Sequence, residues 1–226
     1  MKVTYYGHSC FMVEVSGKKL LFDPFISPNE LAKEIDIKTV RPDYLLISHG
    51  HEDHVADVLE VYKNSEPTVI SAFEIVRYYS EKTIKKVKGL NIGGSVNFDF
   101  GRVKYVVAMH SSVLPDGTYA GNPGGFVVEA AEGSFYFAGD TGLTYDMKLI
   151  AEEFDLNFAF LPLGDSYTMG VKDAIRCSDF INCNRIIGMH YDTFEQIEID
   201  HQEAVDNFRH KGKELVLMRI GESRDF

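Results

Sequence analysis

The stretch Ser48-His49-Gly50-His51-Glu52-Asp53-His54 places four potential metal ligands between positions 49 and 54. It follows the apolar run Tyr-Leu-Leu-Ile at 44–47, which predicts a buried strand. Neutral imidazole and carboxylate groups are the ligands that suit zinc and similar divalent ions. The chain holds only 8 histidines, and three of them fall in this one turn. The stretch therefore indicates a metal site rather than a surface loop that is rich in histidine by chance.

The size and composition of the chain are those of a globular protein with a substantial core. It has 226 residues, of which 45% are hydrophobic and 25% are charged. No apolar run reaches the length of a membrane span, the N-terminus reads as a strand, and the cysteines (Cys10, Cys177, Cys183) form no C-x-x-C pair. We therefore expect a cytoplasmic protein without a membrane partner. The net charge of −11 disfavours nucleic acid as a substrate.

Hydrophobic periodicity predicts strands early in each half of the chain and helices later. The predicted strands lie at 3–6, 11–15, 20–22, 44–47, 68–71, 96–100, 103–108, 126–130, 135–138, 158–161, 185–189 and 214–218. Predicted helices lie at 73–79, 145–154, 171–180 and 202–211, and a short one begins at Ser27 as the N-cap with Pro28 at its first position. No linker divides the chain. We expect one domain over residues 1–226, an α+β sandwich with two sheets inside and helices outside.

Metal-competent side chains follow four of the predicted strands. His49, His110, Asp140 and His190 each come after an apolar run and a small or flexible residue. Ligands carried at strand ends are held rigidly, as a metal site requires. Four such positions in distant parts of the chain predict one shared site.

These residues are where the sequence resembles the metallo-β-lactamase superfamily. The signature motif is His49-x-His51-x-Asp53-His54, and His110, the run Gly-Asp-Thr at 139–141 and His190 match later ligand positions in the expected order. The runs Gly-His-Ser-Cys-Phe at 7–11, Asp-Pro-Phe at 23–25 and 161–170 resemble small bacterial metal-dependent hydrolases related to the ascorbate-6-phosphate lactonases. The resemblance covers essentially the whole chain and implies a four-layer αββα sandwich.

The resemblance also implies two divalent metal ions, with zinc expected first and manganese, iron or nickel as alternatives. The implied ligands are His49, His51 and His110 for one ion, and Asp53, His54 and His190 for the other, with Asp140 between them. A metal-bridging hydroxide would then attack a small ester, lactone or phosphoester substrate. Asp53 and Asp140 would be the catalytic carboxylates, with Asp53 orienting the hydroxide and delivering a proton to the leaving group.

Other functions of the same fold remain open at this point. Oxygen-reducing di-iron relatives carry a carboxylate where this chain has His51, so hydrolysis is favoured over redox chemistry. An RNA or nucleotide phosphodiesterase with the same site is disfavoured by the acidic charge. A metal-binding sensor without turnover is disfavoured because Asp53 and Asp140 are both present. A homo-oligomer is expected because relatives of this type assemble.

Further residues carry predictions. His8 is either a turn histidine bonded to the backbone or a residue beside the metals. Asp165 and the run from Tyr167 to Met169 are expected to line the substrate pocket, unless Asp165 instead orients a ligand histidine. Glu52 is expected to point away from the cluster and to be dispensable for metal binding.

Overall fold

Two seven-stranded sheets form the centre of the computed structural model, which describes residues 1–226. The first sheet contains β1 (Lys2–Gly7), β2 (Cys10–Val15), β3 (Lys18–Phe22), β4 (Tyr44–Ile47), β5 (Thr68–Ala72), β6 (Val87–Leu90) and the last strand of the chain, β14 (Ser223–Asp225). The second contains β7 (Ser95–Phe98), β8 (Gly101–Val107), β9 (Gly124–Ala130), β10 (Gly133–Phe137), β11 (Leu156–Pro162), β12 (Arg185–Met189) and β13 (Glu214–Val216).

Both sheets change from antiparallel to parallel pairing in the same way. β1, β2 and β3 pair antiparallel, and β3 to β6 pair parallel. In the second sheet, β7 to β10 pair antiparallel and β10 to β13 pair parallel. Ser16 and Gly17 both have positive φ in the turn between β2 and β3, which is the conformation of a tight hairpin.

Parallel neighbours need a crossover, and helices supply most of the crossovers here. The helices are α1 (Glu52–Val55), α2 (Val58–Ser65), α3 (Phe73–Lys82), α4 (Met147–Glu153), α5 (Val171–Phe180) and α6 (His201–His210). α3 packs on β5 and β6, while α6 packs on β13. The predicted α+β sandwich is confirmed, with helices associated with both sheets. No helix of the structure is both long enough and apolar enough to span a membrane.

An aromatic core joins the two sheets. Phe22 at the end of β3 stacks on Phe137 at the end of β10, with ring centroids 4.6 Å apart. Phe11 on β2 lies 4.7 Å from Phe160 on β11. All four side chains are fully buried. Packing of this kind fixes the separation of the sheets, because interiors are dense and tolerate little change in volume.

The prediction of a helix beginning at Ser27 is wrong. The structure has only a 3₁₀ turn at Glu30–Ala32, and its N-cap is Asn29, whose side chain accepts a bond from the backbone N–H of Leu31. The Ser27 backbone N–H instead donates to the Asp57 carboxylate, 2.8 Å away. A tertiary contact therefore overrides the local capping pattern. Two edge strands, β6 and β14, were not predicted.

Candidate metal centre

The four predicted strand ends meet at one edge of the sandwich, around the Asp140 carboxylate. Its Oδ2 atom lies 2.9 Å from His190 Nε2, 3.4 Å from His54 Nε2, 3.6 Å from His110 Nε2 and 4.0 Å from His49 Nε2. Both sheets contribute to this cluster. His49 and His54 come after β4 of the first sheet, whereas His110, Asp140 and His190 come after β8, β10 and β12 of the second. The structure therefore brings together the side chains that sequence order alone left far apart.

Three overlapping groups of metal-competent atoms lie here, and the atoms of each group are within 4.8 Å of one another. Two of them are the histidine sets: His49, His51 and His110 form the first set, and His8, Asp53, His54 and His190 form the second. The remaining group consists of Asp23, His49 and His54. His49 Nε2 and His51 Nδ1 are 3.0 Å apart. Two nitrogens bound 2.0–2.1 Å from one ion lie roughly 3–4 Å apart, so the spacing fits a shared ion. The sets match the predicted partition, except that His8 joins the second.

Glycine lets the two sheets approach closely at this edge. Gly139 has a φ of +62°, and a Cβ there would lie 2.8 Å from Ser48 Cβ and 2.9 Å from the Gly124 carbonyl oxygen. A larger residue would therefore separate Asp140 from the turn that carries His49. Glu52 is exposed, as expected for a member of the motif that points away.

Asp23 orients the rings of His54, directly, and of His49, through Ser48, and this role was not predicted from the sequence. This buried carboxylate accepts bonds from the Ser48 backbone N–H at 2.7 Å, the Ser48 hydroxyl at 2.6 Å and His54 Nδ1 at 2.8 Å. Because Ser48 donates its hydroxyl proton to Asp23, its oxygen accepts from His49 Nδ1, 3.0 Å away. In the neutral form, both rings are thus held as the tautomer whose Nε2 lone pair can bind a metal. Asp23 directly follows β3, so the strand-end rule could have found it.

His8 connects Asp53 to the loop after β12. Its Nε2 lies 2.9 Å from Asp53 Oδ2, and its Nδ1 lies 2.9 Å from the Thr193 hydroxyl. The His190 backbone N–H donates to the His8 carbonyl, and both residues have positive φ, +55° and +53°. Left-handed backbone at non-glycine residues is costly and is held only where the surroundings require it. With both ring nitrogens engaged, His8 is placed to position Asp53 rather than to bind a metal.

The structure does not bring Asp165 to the cluster. Its side chain is exposed and makes no hydrogen bond to a ligand histidine. It lines a separate cleft with Lys172, Asp200 and Glu203. Of the residues predicted at the pocket after β11, the structure places Tyr167, and not Asp165, in the lining of the cavity at the cluster.

The electrostatics of the cluster favour bound positive charge. Burial alone would lower the pKa of His190, but Asp140 and Asp53 together raise it to about 9. Burial likewise opposes protonation of His54, yet Asp140, Asp53 and Asp23 raise its pKa well above the usual value. Burial and the neighbouring His54 lower the pKa of His49, so its ring is neutral.

Two buried polar atoms at the centre have no hydrogen-bond partner, His54 Nε2 and Asp140 Oδ1. Buried polar atoms are almost always satisfied, so orphans at a functional site need an explanation such as an ion. Neutral imidazoles and ionised carboxylates are also the donors that a divalent ion requires. The residues present fit the metals that the fold implies.

Comparison with known proteins agrees with this geometry. A family model described as a beta-lactamase superfamily domain matches residues 2–190. A protein of Flavobacterium johnsoniae named UPF0173 metal-dependent hydrolase is 52% identical over 223 residues, covering 99% of both chains. The solved structure of Igni18, described as a novel metallo hydrolase from the archaeon Ignicoccus hospitalis, is 33% identical with a TM-score of 0.89, covering 100% of this chain and 98% of that one.

A third comparison concerns the fold alone. The crystal structure of an isothiocyanate hydrolase from Delia radicum gut bacteria has a TM-score of 0.79 at 17% identity, covering 100% of this chain and 99% of that one. The resemblance to the metallo-β-lactamase superfamily and its small metal-dependent hydrolases is confirmed by the family match and by the relatives. The chain therefore belongs to the beta-lactamase superfamily, among relatives named as metal-dependent hydrolases.

Proposed function

We propose that this protein is a dinuclear metal-dependent hydrolase that acts on a small ester, lactone or phosphoester. The observation that carries the proposal is the position of Asp140. Its Oδ2 atom lies within 4.0 Å of ring nitrogens from both histidine sets. A carboxylate in that position can serve two ions at once, and hydrolysis is the chemistry that paired ions promote.

The proposed ligands are those of the two sets. One ion would be held by His49, His51 and His110, the other by Asp53, His54 and His190, and both by Asp140. Bound ions would activate water as a nucleophile near neutral pH and polarise the scissile group. We propose zinc, because its borderline character suits histidine-rich donors, while the same donors also accept manganese, iron or nickel.

Asp53 is the carboxylate best placed to handle protons. Its side chain is 25% exposed, whereas that of Asp140 is 2% exposed, so only Asp53 has ready access to substrate and solvent. His8 holds Asp53 Oδ2 at 2.9 Å and so fixes the direction of the carboxylate. Burial lowers the pKa of His8 to about 4, so this ring is neutral and donates one N–H rather than a charge. We assign Asp53 as the proton carrier and His8 as its positioning residue.

The proposed reaction adds one water across the bond to the leaving group. The attacking water gives a proton to Asp53 and its hydroxyl to the acyl or phosphoryl centre, the bond from that centre to the leaving oxygen breaks, and the leaving oxygen takes the same proton from Asp53. No electron donor or acceptor is needed. Asp140 remains ionised throughout, since His190 and His54 outweigh burial and hold its pKa well below the usual range.

Metal content and turnover test the proposal together. The protein is stripped with a chelator, reloaded with zinc, manganese or iron, and assayed against simple esters, lactones and phosphoesters. We expect about two ions per chain, loss of hydrolysis on stripping and recovery on reloading. Hydrolysis that persists without metal would overturn the proposal. Stoichiometric metal without any turnover would instead favour a metal-binding sensor.

A pair of variants tests the ligand assignment. Asp140→Ala should lose metal and turnover while keeping its fold, because it removes the carboxylate whose Oδ2 lies within 4.0 Å of ring nitrogens from both sets. Glu52→Ala is the matched control, since Glu52 belongs to the same motif but is exposed. We expect this control to keep its metal. Unchanged stoichiometry in Asp140→Ala, or loss of metal in Glu52→Ala, would show that the assignment is wrong.

A further inference from the structure

The cavity over the cluster has a small volume of about 210 Å³. Five of its eight lining residues belong to the proposed metal centre. The other three are Ser111, Tyr167 and Phe194. Pockets for drug-sized ligands are roughly 300–1,000 Å³, so this cavity accepts a smaller molecule. The three residues outside the cluster are the ones that can distinguish one substrate from another.

No lysine or arginine lines this cavity. Sites that recognise phosphorylated substrates place arginine or lysine where the phosphate oxygens lie, because charge-assisted bonds hold them. The whole chain also carries a net charge of −11, which repels anions at a distance. Metal ions could accept one anionic group at the reaction centre. A second anionic group elsewhere in the substrate would have no partner.

Two aromatic side chains are left open to this cavity. Tyr167 is 59% exposed and Phe194 is 42% exposed, although rings of this size are usually covered. The Phe194 ring is supported by His8, with centroids 5.6 Å apart, and by Phe25 at 6.3 Å. An exposed apolar surface beside convergent polar groups is the usual composition of a ligand site.

The two aromatic residues sit on turns that are bonded to each other. Ser166, next to Tyr167, has a φ of +47°, and its hydroxyl donates to the Gln196 carbonyl at 3.0 Å. Gln196 belongs to the short 3₁₀ turn that follows Phe194. The Ile197 backbone N–H in turn donates to the Phe194 carbonyl at 3.0 Å. The pair is therefore held in place before any substrate binds, which reduces the entropic cost of binding.

We propose that the substrate carries an uncharged apolar group, preferably an aromatic ring, that packs on Tyr167 and Phe194 while its scissile group lies at the cluster. This inference rests on the proposed hydrolysis and narrows it to small apolar esters or lactones. Substrates with a phosphate or carboxylate away from the scissile group fit poorly, because the cavity offers no cation to that second charge. Tyr167 and Phe194 are then the specificity-determining residues.

Three methyl esters with the same leaving group test the proposal: methyl acetate, methyl phenylacetate and monomethyl succinate. We expect the KM of methyl phenylacetate to be about tenfold below that of methyl acetate, the size of effect that one aromatic contact gives. Monomethyl succinate, whose carboxylate lies away from the scissile group, should be the poorest substrate of the three. A preference for monomethyl succinate over methyl phenylacetate would overturn the proposal.

Variants separate the aromatic contact from general damage. Tyr167→Ala and Phe194→Ala should each raise the KM of methyl phenylacetate about tenfold and leave that of methyl acetate within about twofold. Tyr145→Ala is the matched control, because this tyrosine is 73% exposed but lies outside the cavity. Equal effects on both esters, or none, would refute the assignment.

A binding measurement distinguishes failure of this inference from failure of the proposed hydrolysis. Phenylacetamide and acetamide are compared by ligand-observed NMR with the stripped and the zinc-loaded protein. We expect phenylacetamide to bind both forms, acetamide to bind neither detectably, and the signal to be lost in Tyr167→Ala and Phe194→Ala only. Binding without turnover of any ester would refute hydrolysis and leave the aromatic site standing. Turnover of methyl acetate without binding of phenylacetamide would refute the aromatic site alone.

Discussion

Replacement of Asp23 by asparagine should weaken metal binding without removing any ligand. Asp23 Oδ1 accepts from the Ser48 backbone N–H, and Oδ2 accepts from the Ser48 hydroxyl and from His54 Nδ1. In Asp23→Asn the amide oxygen can replace Oδ1, which leaves the NH₂ group in the place of Oδ2. That group donates, so His54 Nδ1 must accept and its proton moves to Nε2, the atom that faces the cluster.

The same inversion reaches His49 through Ser48. When the introduced asparagine amide donates to the Ser48 oxygen, the hydroxyl proton turns toward His49 Nδ1, and the His49 proton also moves to Nε2. Turning the amide over instead would place NH₂ against the buried Ser48 N–H and leave that donor unsatisfied, which costs about 1–3 kcal/mol. Both arrangements work against the native ligand tautomers.

The magnitude follows from the bond that is lost. A hydrogen bond to a charged group contributes about 1.5–3 kcal/mol, which is a factor of about 10 to 150 in affinity. Loss of an outer carboxylate behind a metal-bound histidine typically costs 10–100-fold, in agreement. We therefore expect zinc affinity to fall about 10- to 100-fold, measured by competition with a chromophoric chelator near neutral pH. The ring nitrogen chemical shifts of His54 report the tautomer independently.

Asp57→Asn is the matched control for this experiment. Asp57 is also buried, and one of its oxygens accepts both the Ile26 and the Ser27 backbone N–H, at 2.6 and 2.8 Å. The single amide oxygen of asparagine can keep both bonds, and no histidine is involved. This variant should keep its zinc affinity. Unchanged affinity in Asp23→Asn, or an equal loss in Asp57→Asn, would refute the tautomer argument.

Five further outcomes are expected. His8→Asn, which tolerates the left-handed backbone but cannot reach Asp53, should lower metal affinity about 10–100-fold in a chelator competition while circular dichroism is unchanged. Zinc binding near neutral pH should release roughly two protons, from His54 and His190, measured calorimetrically in buffers of different ionisation enthalpy. The fold raises the pKa of His190 from 6.5 to about 9, so protonated His190 stabilises the metal-free protein. In urea titrations, this stabilisation should be complete below pH 6.5 and should be lost as pH rises through 9. Phe137→Ala should lower the free energy of unfolding by about 3–5 kcal/mol. When the metal is present at a thousand times its Kd, its removal should lower Tm by about 8–16 °C in a thermal melt.

The proposed ligands could be predicted from sequence because each one follows a recognisable strand. An apolar run marks the strand, the residue after it marks the sheet edge, and His49, His110, Asp140 and His190 all occupy such positions. The secondary structure was predicted well for the same reason: the strand at 44–47, the helix at 171–180 and the strand at 185–189 have the predicted bounds. Periodicity is most reliable where one face is fully buried.

The residues that were missed depend on contacts between distant segments. Phe194 lies in a loop without periodicity, and only the folded chain shows that it lines the same cavity as Tyr167. Asp165 and Tyr167 differ by two positions and were both predicted at the pocket, yet only Tyr167 lines the cavity, after a turn with positive φ at Asp165 and Ser166. Backbone reversals of this kind leave no hydrophobic pattern, so the sequence could not separate the two residues.

The precision of the site derives from the aromatic core beneath it. Phe22 is the last residue of β3 and precedes Asp23, while Phe137 ends β10 three positions before Asp140. Their stacked rings, 4.6 Å apart, therefore set the distance between the two sheets at the point where each sheet supplies a carboxylate. A displacement of about 1 Å at a reacting centre can cost 10²-fold in rate. Loss of the Phe137 ring should thus weaken metal binding as well as the fold, because the ligands from the first sheet and those from the second would no longer be held at one separation.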